Sequence, residues 1–183
     1  YQWGPGIRDH YCIHHILSGS GVYTTGKVSV RLNAGDTFIL FPGVELQYQA
    51  DKDEPWEYCW AGFMGTDAAS IIRNTGFSKE TPYILKGKIP DEKIRDGLEE
   101  IYRNKGNTYE SSVAMTGSLY SLLAVFMHYA DRMEPEKDSH VMYVEKAMSY
   151  IETNYSYPIT VEDIAYYVGN SRSHLFRSFQ NYM

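Results

Sequence analysis

Cysteine is scarce in this sequence of 183 residues, and it contains neither a long apolar run nor an excess of positive charge. The two cysteines, Cys12 and Cys59, stand far apart, so neither a C-x-x-C metal motif nor a disulfide framework is present. The most apolar stretch, SLYSLLAVFMHYA, falls short of the roughly 20 residues that span a bilayer. The first residues also lack the layout of a signal peptide. We therefore expect a soluble cytoplasmic protein without a membrane segment.

The net charge of −6 argues against a surface that is basic all over, although it leaves room for one local basic face. Apolar residues make up 43% of the chain, which is typical of a globular protein. Seventeen tyrosines are an unusual number, and they favour sites built from rings that carry a hydroxyl.

Residues 9–63 contain six short runs rich in β-branched and aromatic residues, separated by turn-forming groups. The runs are HYCIHHIL, GVYTT, KVSVRL, TFILF, VELQYQ and WEYCWAGF. Because no helical pattern lies between them, they predict antiparallel strands in a sandwich or barrel.

The period becomes helical after residue 65. Thr66 is the expected cap of a first helix, and Pro90 is expected to open a second. A third helix is predicted over residues 109–133, and it is apolar nearly all round between Leu119 and Ala130. Such a helix must be covered on more than one side, so a partner helix from a second subunit is the natural cover.

The last segment follows a polar stretch, EPEKDSH, that is typical of a linker. A helix is predicted over about residues 141–154, and Thr160 with Asp163 forms a variant capping box for the next helix. Gly169 supplies a tight turn, and Ser171 caps a last helix that carries two arginines and no acid. This pattern predicts a helix-turn-helix with positive charge for DNA. An ordinary helical hairpin with charges facing water is the alternative.

Two parts of the chain resemble one family. ITVEDIAYYVGNSRSHLFRSFQNYM resembles the first helix-turn-helix of AraC-family transcription regulators. LSGSGVYTTGK, AGDTFILFPG and YQADKDEPWEYCWAGFMG are similar to the sugar-sensing domain of that family. The resemblance implies an α+β fold: an antiparallel cupin-like β-barrel, then dimerisation helices, then a partial all-α helix-turn-helix domain. The implied domains are a barrel at 1–65, a helical region at 66–133, a linker at 134–140 and a truncated DNA-binding domain at 141–183.

Candidate ligand residues come from the strand WEYCWAGF, which places Trp56, Tyr58 and Trp60 on one face. From the residues alone, these rings are either core filling or the wall of a pocket. The resemblance implies that Trp60 stacks on a sugar ring and that Tyr58 and Tyr48 offer polar groups to its hydroxyls. Arabinose sensors have histidine at the position of Tyr58, which leaves the sugar open. Two further candidates are Arg8, just before the first predicted strand, and His15.

For DNA, the resemblance implies a base-facing set on the last helix: Arg172, Ser173, Phe176 and Arg177. Asn170 and Ser178 depart from the apolar residues usual in the family, and both departures weaken the expected packing. The implied partners are a double-stranded DNA operator, a sugar effector of the α-galactoside kind, such as raffinose or melibiose, and a second copy of the chain. That homodimer would form through helices 90–104 and 109–133. The implied role is an activator of a carbohydrate operon.

Two other functions were weighed. A cupin-type sugar isomerase or dioxygenase needs convergent metal ligands or an acid-base pair, for which Glu45, Glu57 and His15 are the candidates. However, His14 and His15 are neighbours on a strand and point to opposite faces, and Leu46 stands where many cupins carry a histidine. We therefore expect no metal, no cofactor and no enzymatic activity. The other alternative is a DNA-binding protein whose barrel is only a dimerisation scaffold.

Overall fold

The computed structural model describes residues 2–26, 28–130 and 139–182. The chain divides into two compact units, Tyr1–Asp131 and Arg132–Met183. The described strands of the first unit are β1 (Gln2–Ile7), β2 (Tyr11–Ser18), β3 (Ser20–Thr25), β4 (Val28–Asn33), β5 (Thr37–Leu40), β6 (Glu45–Ala50), β7 (Glu57–Phe63) and β8 (Tyr83–Ile84). They form two four-stranded antiparallel sheets, with orders β1-β6-β3-β4 and β7-β2-β5-β8. The antiparallel pairing predicted from the sequence is confirmed.

Two strands, β1 and β8, fall outside the six predicted runs. β1 contains a Gly-Pro-Gly sequence, which is unusual in a strand, and its pairing with β6 shifts register between Trp3 and Gly6. Gly4 has a φ of +89°, and a Cβ there would lie 2.5 Å from the carbonyl oxygen of Leu46, so only glycine fits. β8 has two residues, which is too short for alternation to be visible. β8 belongs to the second sheet, although it lies outside residues 1–65, the range predicted for the barrel.

Three described helices follow the strands of the first unit: α1 (Ala68–Arg73), α2 (Asp91–Arg103) and α3 (Tyr109–Tyr129). The prediction that Thr66 caps α1 is wrong, because the N-cap is Asp67 and its side chain makes no capping bond. Pro90, which was predicted to open α2, is its N-cap and has the non-helical ψ of 126° that is usual at this position. Thr108 caps α3, where its hydroxyl oxygen accepts a hydrogen bond from the Ser111 N–H at 3.1 Å.

The second sheet has an apolar core on each face because side chains alternate along its strands. On β2, Ile13 joins a core with Leu98, Leu122 and Phe126 of the helices. Ile16 points the other way, into a core between the two sheets. That inner core is rich in aromatic rings, and its buried members are Cys12, Ile16, Tyr23, Leu32, Phe38, Leu40, Leu46, Tyr48, Ala50 and Trp56.

The second unit contains α4 (Ser139–Asn154), α5 (Val161–Tyr167) and α6 (Arg172–Tyr182). The capping box predicted for α5 is confirmed: the Asp163 N–H donates to Thr160 Oγ1, and the Thr160 N–H donates to Asp163 Oδ2. Gly169 turns the chain between α5 and α6 at a φ of +74°. The small core of this unit is formed by Ala147, Ala165, Val168 and Leu175.

Most of the linker predicted over residues 134–140 lies outside the described residues, and residues 139–140 belong to α4. Among the helices that the structure describes, none is both long and apolar enough to cross a membrane.

Candidate ligand site

Six rings meet on the inner face of the second sheet and form what we call the aromatic cluster. Its members are His14, Phe38, Tyr48, Trp56, Tyr58 and Trp60. They come from β2, β5, β6, β7 and the residue just before β7, so the cluster depends on strand pairing across both sheets. Trp56, Tyr58 and Trp60, which were predicted to share one face, all belong to the aromatic cluster.

His14 lies at the centre of the aromatic cluster. Its ring stacks on Phe38 with the centroids 4.6 Å apart, and it contacts the edge of Tyr58 at 5.0 Å. Tyr48 lies 5.5 Å away and Trp60 lies 6.4 Å away. Sequence reasoning placed His14 and His15 on opposite faces but could not say which face would hold the rings.

The aromatic cluster extends from the core to the surface. Trp56 and Tyr48 are buried, Tyr58 is half-buried, and Trp60 is 59% exposed. Trp56 is held in place by a glycine on β3, because a Cβ on Gly21 would lie 2.5 Å from the indole ring. Trp60 therefore presents a large flat apolar surface to solvent, with the polar rings of the cluster beneath it.

Arg8 contacts the aromatic cluster indirectly, through Trp3, a residue that the sequence analysis did not single out. The Arg8 guanidinium lies 4.5 Å from the ring centroid of Trp3, and Trp3 stacks on Tyr48 at 5.7 Å. Such a cation–π contact holds both side chains over one end of the cluster. Trp3 escaped sequence reasoning because β1 was not predicted. A lone tryptophan two residues after the start of the sequence gave no periodic signal.

His15 lies away from the aromatic cluster, which corrects its place among the ligand residues. It is fully buried on the outer face of the sheet, where Nδ1 lies 2.9 Å from Thr37 Oγ1. Its Nε2 lies 3.0 Å from Asp91 Oδ1 at the start of α2. The physical reason is strand alternation: once His14 points inward, His15 must point outward.

Two buried polar atoms of the cluster, His14 Nδ1 and Trp56 Nε1, have no hydrogen-bond partner among the described residues. Burial lowers the pKa of His14 to about 4, so its ring is neutral at pH 7. Leaving a buried polar group unpaired costs about 1–3 kcal/mol. Both atoms therefore retain hydrogen-bonding capacity that the described residues do not use.

The candidate residues for a metal or enzyme site are not assembled. Among the residues that the structure describes, no three His, Cys, Asp or Glu side chains come close enough to hold a metal ion. Glu45 and Glu57 are exposed, whereas His15 is buried against α2. Burial raises the pKa of the Cys12 thiol to about 12, so it stays protonated and is a poor ligand or nucleophile.

The second unit holds the four residues predicted to face DNA. Arg172, Ser173 and Phe176 line one open groove of about 550 Å³, which also contains Leu175 and Phe179. Arg172 pairs with Glu162 of α5 at 2.9 Å. Arg177 is exposed, and its Nε donates to the Ser173 carbonyl at 3.3 Å.

Comparison with known proteins gives a family and several relatives. Residues 1–123 match the model of the AraC-like ligand-binding domain. Over 98% of its length the chain is 34% identical to the Msm operon regulatory protein of Streptococcus mutans, of which it covers 65%. Over the same share it is 29% identical to the raffinose operon transcriptional regulatory protein RafR of Pediococcus pentosaceus, covering 65%. Over 92% of its length it is 24% identical to the lactose operon transcription activator of Staphylococcus xylosus, covering 61%. The chain thus spans less than two thirds of each relative.

Proposed function

The chain belongs to the AraC family through its AraC-like ligand-binding domain, and we propose that it is a sugar-responsive regulator of transcription. The three relatives are named as regulators of operons, two of them for raffinose and lactose, which supports this role over an enzymatic one. The effector would bind the first unit and change how the protein holds DNA. Such a response needs an effector that binds two states of the protein with different affinity.

The observation that carries the proposal is the aromatic cluster with its two unpartnered polar atoms, His14 Nδ1 and Trp56 Nε1. A sugar presents one apolar C–H face, which suits the exposed indole of Trp60. Its hydroxyls need directed partners, which Tyr58 and Tyr48 can provide together with the two unpartnered atoms. A neutral His14 can donate or accept, whereas the Trp56 N–H can only donate.

For the effector we propose an α-galactoside such as raffinose or melibiose. One relative is named for a raffinose operon and another for a lactose operon, so galactose-containing oligosaccharides are the shared class. Two features suit an oligosaccharide: Trp60 is exposed at the surface, and Arg8 with Trp3 lies over another part of the cluster. One sugar unit can bind the rings while the next extends towards solvent.

We propose that α5 and α6 form a helix-turn-helix that reads DNA with Arg172, Ser173, Phe176 and Arg177. All four are on α6 and away from the small core of the unit. The support is the capped α5, the glycine turn and the absence of any acid on α6. Glu162 pairs with Arg172, so one acidic side chain lies beside the surface that would meet phosphates.

We further propose that the protein acts as a homodimer and an activator. The dimer would use the helices predicted over 90–104 and 109–133, observed as α2 and α3. α3 exposes large side chains that a partner helix could cover, namely Tyr109, Val113, Tyr120 and Met127. The activator role is supported by the name of the lactose operon relative.

A thermal-shift series with raffinose, melibiose, lactose and arabinose tests the sugar proposal. At a hundredfold excess over Kd a ligand adds about 2.7 kcal/mol, or about 5–10 °C for a chain of this size. We expect the rise with raffinose or melibiose and its loss in Trp60→Ala. Tyr155→Ala is the matched control, because it removes an exposed ring outside both the cluster and the proposed dimer helices. A full rise in Trp60→Ala would contradict this site.

A salt titration tests the DNA proposal. Binding to a short labelled duplex is measured by anisotropy over a range of salt concentrations, for the wild type and Arg177→Ala. If Arg177 contacts one phosphate, the slope of log K against log salt should become shallower by about 1. Lys146→Ala on α4 is the control for loss of one charge in the same unit. An equal slope in Arg177→Ala and the wild type would rule out that contact.

A further inference from the structure

We propose that the contact between His15 and Asp91 couples the aromatic cluster to the helix pair α2–α3. In this view the partly buried hydrogen bond between His15 of β2 and Asp91 of α2 moves together with His14, whose ring lies on the other face of the same strand. The inference rests on the proposed function for what fills the cluster, but the coupling itself can be measured without any ligand.

The first step is the strand register. His14 lies opposite Phe38 of β5, and His15 lies opposite Thr37. Each of these pairs makes a side-chain contact, one on each face of the sheet. His14 stacks on Phe38 inside, and His15 contacts the Thr37 hydroxyl outside. Because adjacent residues share a peptide unit, a shift of His14 within the rings also moves His15.

The second step is the direction of the two hydrogen bonds that the His15 ring makes on the outer face of the sheet. The Asp91 carboxylate can only accept, so His15 Nε2 carries the proton and donates to it. The neutral ring then accepts the Thr37 hydroxyl proton at Nδ1. Burial favours this neutral form, because it lowers the pKa of His15 even though Asp91 acts to raise it. Both ring nitrogens therefore have a defined partner, and His15 has little freedom to move independently of them.

The third step is the packing of α2. Asp91 is the first residue of α2, and Ile94 and Leu98 are buried one and two turns later. Gly97 lets α3 approach so closely that a Cβ there would lie 2.8 Å from Leu122 Cδ1. A movement at the start of α2 is therefore passed to α3 by tight packing rather than absorbed by a loose interface.

The fourth step is the inner side of the strand, where a ligand would act. His14 Nδ1 is buried without a partner among the described residues, so a hydroxyl that reached it would add a hydrogen bond that the ring lacks without a ligand. A ligand can shift an equilibrium only through such a difference in contacts. His14 supplies that difference, and His15 with Asp91 connects it to the helices.

Hydrogen exchange of the full chain tests the coupling. His14→Ala changes the inner side of β2, and exchange is followed at the amides of residues 94–98 in α2. The substitution is made in three backgrounds: wild type, Asp91→Ala, which removes the acceptor of the His15 Nε2 proton, and Glu92→Ala. Glu92 is the matched control, since it is an exposed acid in the same first turn and loses the same charge.

We expect His14→Ala to raise exchange in α2 at least about threefold in the wild-type and Glu92→Ala backgrounds. In the Asp91→Ala background it should cause no further rise. A rise of equal size in the Asp91→Ala background would overturn the proposal, and so would a rise confined to β2 in the wild type. If His14→Ala does not fold, Trp60→Ala replaces it, because Trp60 faces His14 across the strands and is exposed.

Raffinose added to the wild type separates this inference from the proposed function. Changed exchange in β2 and in α2, with the α2 change lost in Asp91→Ala, supports both. If saturating raffinose changes no segment, the proposed effector class fails, and the comparison of variants still decides the coupling. If raffinose changes β2 and β7 but leaves α2 as it was, the coupling fails and the sugar site stands.

Discussion

His14 and Phe38 stack almost face to face across the β2–β5 pair, with ring centroids 4.6 Å apart and planes 7° from parallel. A charged imidazolium would be costly here, because the surroundings are apolar rings and His14 is only 3% exposed. The stack therefore requires a neutral histidine, and the stability of the first unit must depend on pH.

The pH dependence has a definite sign. Burial lowers the pKa of folded His14 to about 4, whereas an unfolded histidine titrates near 6.5. Between these values the unfolded chain binds a proton that the folded chain does not. The free energy of unfolding therefore falls as pH falls through this window, by up to about 1.4 kcal/mol per pH unit for one histidine. His14→Phe keeps the ring stack and should lose this part of the acid sensitivity.

Urea unfolding of the first unit at several pH values between 7 and 4.5 checks this prediction. His15 is present in both proteins and the pKa of its buried ring is also lowered, so the difference between the two curves reports His14. If His14→Phe is less stable than the wild type at pH 7, the difference between their free energies of unfolding should shrink towards low pH. If it is as stable or more stable at pH 7, its advantage over the wild type should grow towards low pH. Parallel curves would show that His14 is not buried in the neutral form.

Two helical glycines make a matched test of the α2–α3 contact. Gly117→Ala in α3 meets no atom within 4 Å, so it should stabilise the protein by about 0.5–1 kcal/mol through helix propensity. Gly97→Ala in α2 would place its Cβ 2.8 Å from Leu122, and overpacking of a tight contact costs about 1–3 kcal/mol. We expect Gly97→Ala to be the less stable variant by thermal unfolding. Equal stability would mean that the two helices pack less tightly than described.

Much of the fold follows from the sequence because alternation and helical periodicity are local signals. The six predicted runs correspond to β2–β7, and helices occur at or near each predicted position from residue 66 onward. β1 and β8 could not be predicted in this way, because one is interrupted by Gly-Pro-Gly and the other has two residues. Both are strands because a neighbouring strand offers free hydrogen-bonding groups, which is a tertiary effect.

The candidate site shows the same division between local and tertiary information. Alternation puts Trp56, Tyr58 and Trp60 together, but nothing in the sequence says whether His14 or His15 faces them. The choice depends on which side of β2 the helices cover. Ser178 is a second example: the sequence marks it as a weak core residue, yet it is fully buried and its hydroxyl donates to the His174 carbonyl at 3.0 Å.

The capping box of α5 gives a prediction for the second unit. Thr160→Ala removes the oxygen that accepts the Asp163 N–H, and loss of such a cap costs about 1 kcal/mol. Thr160→Ser keeps that oxygen and should behave like the wild type. The two units need not unfold together, so amide exchange over residues 161–167 is the suitable measurement. Similar exchange in Thr160→Ala and Thr160→Ser would show that the cap does not stabilise α5.

The last prediction concerns Gly21, whose missing side chain makes room for Trp56. A Cβ at this position would lie 2.5 Å from two indole carbons and 2.6 Å from the Gln49 carbonyl oxygen. Gly21→Ala must therefore displace the indole from its stack on Phe38, which we expect to cost at least about 1–3 kcal/mol. Near-ultraviolet circular dichroism should change too, because Trp56 is one of only three tryptophans.

Two further variants distinguish the clash with the indole from a general cost of replacing glycine by alanine in a strand. Gly62→Ala on β7 is exposed, and its nearest neighbour is a His10 side-chain atom at 3.3 Å, so we expect little change in stability. Adding Trp56→Phe to Gly21→Ala removes the clashing part of the indole and should restore some of the lost stability. If the double variant is less stable than Gly21→Ala by the full cost of Trp56→Phe alone, the two effects simply add. The indole would then not be what the new methyl group displaces.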